Sequence, residues 1–148
     1  MSPKIAAVLI FVALLLGCSG STSFSNGLQR LAAQQVGRSI KIDVVVASAW
    51  DEFAIFGPYF PKEEACQILE LSTWSCFWLP YAKSDDSSPK LVVFLNKKEI
   101  VLSAFLPKCG AQLRPYDSKI IRSPRRQGAF EVATDPSCTA PNYVLKQQ

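Results

Sequence analysis

The side chains that could do chemistry in this 148-residue chain are few, and their types exclude more than they allow. There are five cysteines and no histidine. Without histidine a Ser-His-Asp or Cys-His nucleophile cannot be assembled in its usual form, and zinc loses its common nitrogen ligand. No Cys-x-x-Cys pair and no Gly-rich phosphate loop occurs, which argues against a dithiol redox centre, a zinc knuckle and a nucleotide cradle. Asp51, Glu52, Glu63 and Glu64 fit caps and solvated faces; a hydrolase would need two carboxylates facing each other across a cleft. With Cys18 set aside, Cys66, Cys76, Cys109 and Cys138 remain, an even set that reads as two disulfides formed in an oxidising compartment. Four cysteines allow three pairings. Cys66–Cys76 and Cys109–Cys138 are preferred because they close short to medium loops, each contributing on the order of 3 kcal/mol if loop entropy dominates. No metal and no cofactor is implied, and the expected role is not enzymatic.

Cys18 has a different setting. Lys4 precedes an apolar run of 12 residues, Ile5 to Leu16, followed by Gly17 and Cys18 and then by Ser19, Gly20, Ser21, Thr22 and Ser23. A membrane-spanning helix needs about 20 apolar residues, so the run reads as the core of a secretory signal peptide. Leu15-Leu16-Gly17-Cys18 resembles the lipobox of bacterial lipoproteins, in which the Cys is acylated and becomes the first residue of the mature chain. The resemblance implies a membrane-anchored envelope lipoprotein held by acyl chains, each buried methylene adding about 0.8 kcal/mol. In a Gram-negative host, Ser19 after the Cys implies the outer membrane, on its periplasmic side. The organisation expected is a signal peptide over 1–17, an acylated Cys and flexible tether over 18–25, and one globular domain over 26–148.

Without residues 1–17 the chain keeps 131 residues, 15 Lys and Arg, 12 Asp and Glu, and a net charge of +3. That is enough chain for one core and too little charge to argue for nucleic acid. Leu28, Leu31, Ala32 and Val36 recur at helical spacing and predict a helix over 26–37, capped by Ser25 or Asn26 and ended by Gly37. Ile40 to Ala47 alternates and predicts a strand. Phe53 to Phe56 predicts a second, stopped by Gly57-Pro58. Pro61 with Glu63 and Glu64 opens a helix over 62–71. Ser72 to Pro80 alternates and predicts a third strand with Trp74, Cys76 and Trp78 on one face. Residues 91–95 and 98–105 predict a hairpin turning at Asn96-Lys97, and 129–134 a last strand.

The segment Trp50, Asp51, Ile55, Phe56, Gly57, Pro58, Tyr59, followed by Pro61 and Glu64, resembles a recurring stretch of small bacterial lipoproteins and secreted proteins. There a strand meets a Pro-Tyr turn and a short acidic-capped helix. The resemblance covers about 30 residues and implies an envelope location and a domain type, not a reaction. The residues themselves allow two readings. In one, Trp50 and Phe56 are packing residues, Tyr59 bonds backbone at a corner and Asp51 caps a turn or pairs with a cation. In the other, Trp50, Tyr59, Trp74 and Trp78 form an aromatic patch with Asp51 aimed at a polar group, suited to sugar or peptide.

Residues 108–127 show little periodicity, though Lys119-Ile120-Ile121 could pair at a sheet edge, and carry Lys108, Arg114, Lys119, Arg122, Arg125 and Arg126 against Asp117 alone. A loop pinned by Cys109 explains them; a basic surface for anionic lipid heads, cell-wall polymers or an acidic protein is the functional alternative, with Arg122, Arg125 and Arg126 at its centre. Asp85-Asp86 in the Ser-rich stretch 81–89 reads as solvated. The fold expected is α+β: a mainly antiparallel sheet of about five or six strands with two short helices packed on one face. The expected role is a binding or assembly module of the envelope contacting another envelope protein or the cell wall. The alternative is an inhibitor or immunity protein that blocks an envelope enzyme. A protruding plug would favour inhibition, a concave groove a ligand carrier.

Overall fold

A computed structural model of the chain describes residues 20–58, 60–80, 89–114, 120–134, 136, 138 and 143–147. The signal segment 1–17, Cys18, Tyr59, the 81–88 stretch and Lys119 lie outside the described residues. The fold is α+β, and two four-stranded sheets replace the expected five or six strands in one. The elements are α1 (Gly20–Gln34), β1 (Ser39–Lys41), β2 (Glu52–Phe56), α2 (Lys62–Ile68), α3 (Thr73–Trp78), β3 (Lys90–Asn96), β4 (Glu99–Leu106), β5 (Ala111–Arg114), β6 (Ile120–Pro124), β7 (Ala129–Thr134) and β8 (Tyr143–Gln147). Two 3-10 turns, Ile42–Val44 and Arg125–Gln127, interrupt them.

The antiparallel sheet, ordered β4-β3-β2-β6, is the middle layer. Phe53 to Phe56 and Val92 to Leu95 are all buried. Their unbroken apolar runs, rather than alternation, reflect a sheet covered on both faces. Phe53, Ile55, Val92 and Phe94 point into a core shared with α1 and the other sheet, while Ala54, Phe56, Val93 and Leu95 meet α2 and the turn after α3. The two longer helices therefore lie on opposite faces of this sheet, not on one. Each face needs its own apolar cover, and one helix layer cannot supply both.

Helix α1 begins at Gly20, so residues 20–25 extend the helix instead of forming the expected tether. Phe24 is the reason. It stands one turn ahead of Leu28, continues the stripe of Leu28 and Ala32, and is buried with its ring 5.3 Å from that of Phe94. The helix ends toward Gly37, whose φ of 75° suits glycine. The Gly37 amide donates to Val132 O at 2.8 Å, tying the helix end to β7.

The expected strand over 40–47 stops at Lys41. Its partner β7 runs out at Ala129, and the Ile42 amide donates instead to Gly128 O at 3.0 Å as the chain turns into the first 3-10 turn. The expected strand over 72–80 is helix α3. Ser72 caps it, its hydroxyl accepting from Ser75 N at 3.1 Å. The β3–β4 hairpin is present, but its turn residues are Lys97 and Lys98, with φ of 51° and 66°. Asn96 pairs across to Glu99. Asp51 Oδ2 accepts from Lys97 N at 2.9 Å and braces the turn.

The stretch 108–127 contains β5, β6 and a 3-10 turn, with Ile120 and Ile121 in an edge strand as expected and β5 beyond the expectation. β6 forms an edge of the middle sheet against β2. The second sheet, β1-β7-β8-β5, is mixed, and its β5–β8 pair is parallel. β8 was not anticipated from the sequence. The disulfide Cys109–Cys138 joins the segments just ahead of β5 and β8. It brings Ala111 into register with Tyr143, a pairing that parallel strands cannot obtain from a tight turn.

Gly128 sits where the 3-10 turn meets β7. A Cβ there would come within 3.1 Å of Arg125 O, Ile42 Cγ2 and Trp50 Cη2. Gly128→Ala is expected to lower unfolding stability by about 1–3 kcal/mol, the cost of overpacking a filled site. Urea unfolding measures it, and an unchanged midpoint would show that the junction yields without cost.

Candidate functional site

The outer layer over the middle sheet is thin. α2 spans seven residues and α3 six, both shorter than a helix that holds itself in water. Three constraints fix them. Cys66 on α2 is bonded to Cys76 on α3 with Cα atoms 5.5 Å apart. Lys62 Nζ donates to Phe77 O at 3.0 Å. Ala65, Cys66, Leu69 and Leu79 bury against Ala54, Phe56, Val93 and Leu95. With the inward positions taken by these residues, the rings of α3 face out.

Trp74, Phe77 and Trp78 are 69%, 66% and 63% exposed. They follow the helical spacing i, i+3, i+4. Trp74 and Phe77 stack at 6.2 Å, while Trp78 stands edge-on to both, at 5.6 Å from Trp74 and 5.3 Å from Phe77. Burying one such side chain is worth about 1.5–3 kcal/mol, and the three together form a contiguous apolar patch rather than scattered apolar residues. The hollow beside it, lined by Phe60, Lys62, Leu79, Pro80 and Leu91 among others, holds about 30 Å³, roughly the room for one water. Thr73 and Cys76 of α3, with Cys66, Gln67, Glu70 and Leu71, line a second, open hollow of about 420 Å³.

The structure divides the aromatic patch that the sequence allowed. Trp74 and Trp78 lie in the outer layer. Trp50 is 3% exposed and packs in the inner core, edge-on to Phe53 at 6.0 Å and Phe94 at 5.2 Å. Asp51 is committed to the Lys97 turn. Trp50 and Asp51 are therefore corrected out of the patch, and Phe77, which was not singled out, joins it. Reading 72–80 at a period of two hid the cluster. The i, i+3, i+4 spacing of the three rings behind a Ser72 cap is the signal that would have found it.

The expected basic surface is also divided. Arg122, on β6, is spent on internal contacts. It hydrogen-bonds both carboxylate oxygens of Glu52, donates to Ile68 O at 2.6 Å and lies 3.8 Å from Glu70 Oε1. Arg125 donates from Nε to Asp43 Oδ1 at 3.0 Å and from Nη1 to Trp50 O at 3.2 Å, with its guanidinium 5.3 Å from the Trp50 ring centre. Among the described residues, Lys41 and Arg126 have no acid partner. They line a cleft of about 350 Å³ together with Asp43, Arg125, Gly128 and Ala129. The disulfides place the chain in an oxidising, extracytoplasmic compartment. No helix among the described residues is long and apolar enough to cross a membrane.

Glu70 closes the outer layer at its other end. Its carboxylate is hydrogen-bonded by Lys98, and this bond, with the charges of Lys98 and Arg122, holds its pKa below the ordinary 4.5. Because the folded value lies below the unfolded one, the contribution is complete at neutral pH and is lost as pH falls through the folded value. A carboxyl NMR titration should place Glu70 below 4.5, and Lys98→Met should move it up; an unmoved value would remove Lys98 as the cause. Compared with known protein families, with characterised proteins and with solved structures, the chain matches none.

Proposed function

We propose that this chain is an envelope lipoprotein, acylated at Cys18, that works as a non-catalytic docking module for another envelope protein. The observation that carries the reading is the trio of exposed rings on the disulfide-pinned helix α3. Rings already held in place lose little conformational freedom on binding, and Trp is among the residues that dominate interfaces. An exposed cluster of Trp and Phe rings fits an apolar pocket on a partner protein.

The anchor supports the same reading. Only Ser19 stands between Cys18 and the start of α1 at Gly20, a reach of about 7 Å at full extension. The domain is therefore held against the bilayer rather than swinging on a tether. The first turn of α1 packs by Phe24 on Phe94, two residues from the end of β3. α3 ends in Leu79 and Pro80, which gather with Phe56, Leu91 and Phe105 at the opposite end of the strands. Leu91 and Phe94 stand three residues apart on β3, about 10 Å.

A cluster of this kind also suits an inhibitor that plugs an enzyme, the second reading. One experiment tests both. A photo-crosslinking amino acid is placed at Phe77, and at Glu131 as a control, in the full chain in its own host. Intact mass checks acylation of Cys18. A discrete adduct from position 77 alone, with affinity reduced about 30-fold or more by Trp78→Ala at unchanged melting temperature, is expected. An enzyme partner whose activity returns with Trp78→Ala would select the inhibitor. No position-specific adduct from a folded, acylated chain would end the docking reading.

A further inference from the structure

We propose that the cleft between Lys41 and Arg126 binds the phosphate of an anionic phospholipid in the membrane that holds Cys18. The inference rests on the acylation read above and adds a second, specific contact with the same membrane.

The cleft forms where β1 ends against the 3-10 turn Arg125–Gln127. It carries three cations, Lys41, Arg125 and Arg126, and one acid, Asp43. Asp43 is already engaged, accepting from Arg125 Nε at 3.0 Å. Arg125 is further fixed by Trp50, so it is oriented before any ligand arrives. Lys41 and Arg126 are exposed and have no acid partner among the described residues. Gly128 and Ala129 complete the lining of the cleft, which holds about 350 Å³. An excess of two positive charges around open space attracts an anion, and a guanidinium held in place suits phosphate oxygens.

Its place in the fold selects the lipid source. A relay of rings connects α1 to the cleft: Phe24 to Phe94 at 5.3 Å, Phe94 to Trp50 at 5.2 Å, and Trp50 to the Arg125 guanidinium at 5.3 Å. Phe24 stands one helical turn from Gly20, where the chain comes from Cys18. The Arg125 amide donates to Asp51 O at 2.7 Å, and Asp51 holds the Lys97 turn, so Lys97 joins the same end. An acylated Cys18 would thus bring the cleft to headgroup depth. Acyl chains hold the protein on the membrane but leave it free to rotate. A basic cleft beside the anchor adds about a factor of five per Lys or Arg near an anionic surface, and it fixes which way the domain faces.

The test uses the purified, acylated full-length protein in lipid nanodiscs, read by amide hydrogen exchange. Discs of phosphatidylcholine alone are compared with discs containing phosphatidylglycerol. The protein is expected in both discs through its acyl chains. Amides of 41–44 and 125–129 are expected to slow at least about five-fold only with phosphatidylglycerol, and the effect should disappear at high salt and in Lys41→Gln/Arg126→Gln. Both substitutions are at exposed positions, and an unchanged melting temperature checks the fold. Failure to enter phosphatidylcholine discs would overturn the anchor itself. Entry into both discs without lipid-dependent protection would overturn the cleft proposal alone. Equal protection by inorganic phosphate in phosphatidylcholine discs would assign the cleft to a soluble anion and overturn the lipid source.

Discussion

A four-stranded sheet buried on both faces is the constraint from which the rest of this molecule follows. β2 and β3 carry apolar side chains on both sides, so neither face can meet water. One face is covered by α1 and the mixed sheet, the other by α2 and the turn after α3. The inner cover is generous and aromatic. Phe24, Trp50, Phe53, Phe94 and Phe130 interlock there with edge-on and tilted geometries, the arrangements that ring quadrupoles prefer. The outer cover is made of two helices too short to persist alone, and it needs a covalent staple.

The staple and the exposed rings are two sides of one solution. Cys66 and Cys76 join α2 to α3, while Leu69 and Leu79 do the burying. Trp74, Phe77 and Trp78 are then not required for the core. A chain that needed only to cover its sheet could carry polar residues at those positions at no cost to packing. Three aromatic side chains in water, fixed in mutual contact, are a feature of the surface and not a remainder of folding. The same economy shows among the arginines. Arg122 and Arg125, although Arg125 still borders the cleft, each donate to carboxylates and carbonyls of the chain itself, where a fixed, planar cation ties strands to helices and turns. Lys41 and Arg126 do not, and remain turned toward the same open cleft.

These placements distinguish two ends of the middle sheet. The first turn of α1, the Lys97-Lys98 turn and the Arg125 turn gather at one end of the middle sheet. The aromatic helix leads to the other. In the proposed reading the first end meets the membrane and the second meets a partner, so the strand direction of the sheet sets the axis between them. In that reading the short link from Cys18 to α1 matters: a long tether would decouple the two ends, whereas a helix starting at Gly20 would join the anchor to the core through Phe24.

Much of the fold was legible in the residues. The hairpin 91–105, the strands at 53–56 and 129–134, the helix opened by Pro61 and acids, and the α+β class all follow from local periodicity and turn chemistry, because those elements have enough length or punctuation to declare themselves. The cysteines declared an oxidising compartment by number and by the absence of histidine. What only the tertiary structure decided depends on partners distant in the chain. Ile40 to Ala47 alternates like a strand but loses its ladder where β7 ends. Residues 72–78 satisfy both a strand and a helix pattern, and the Ser72 cap with the bond to Cys66 selects the helix. β8 gains its place from β7 and β5, the latter joined by a disulfide between residues 29 apart. Trp50 and Trp74 look alike in sequence, yet one fills the inner core and the other stands in water. Nothing local separates them, because which face of the sheet a segment reaches is set by chain topology, and topology is decided by long-range pairing rather than by residue type.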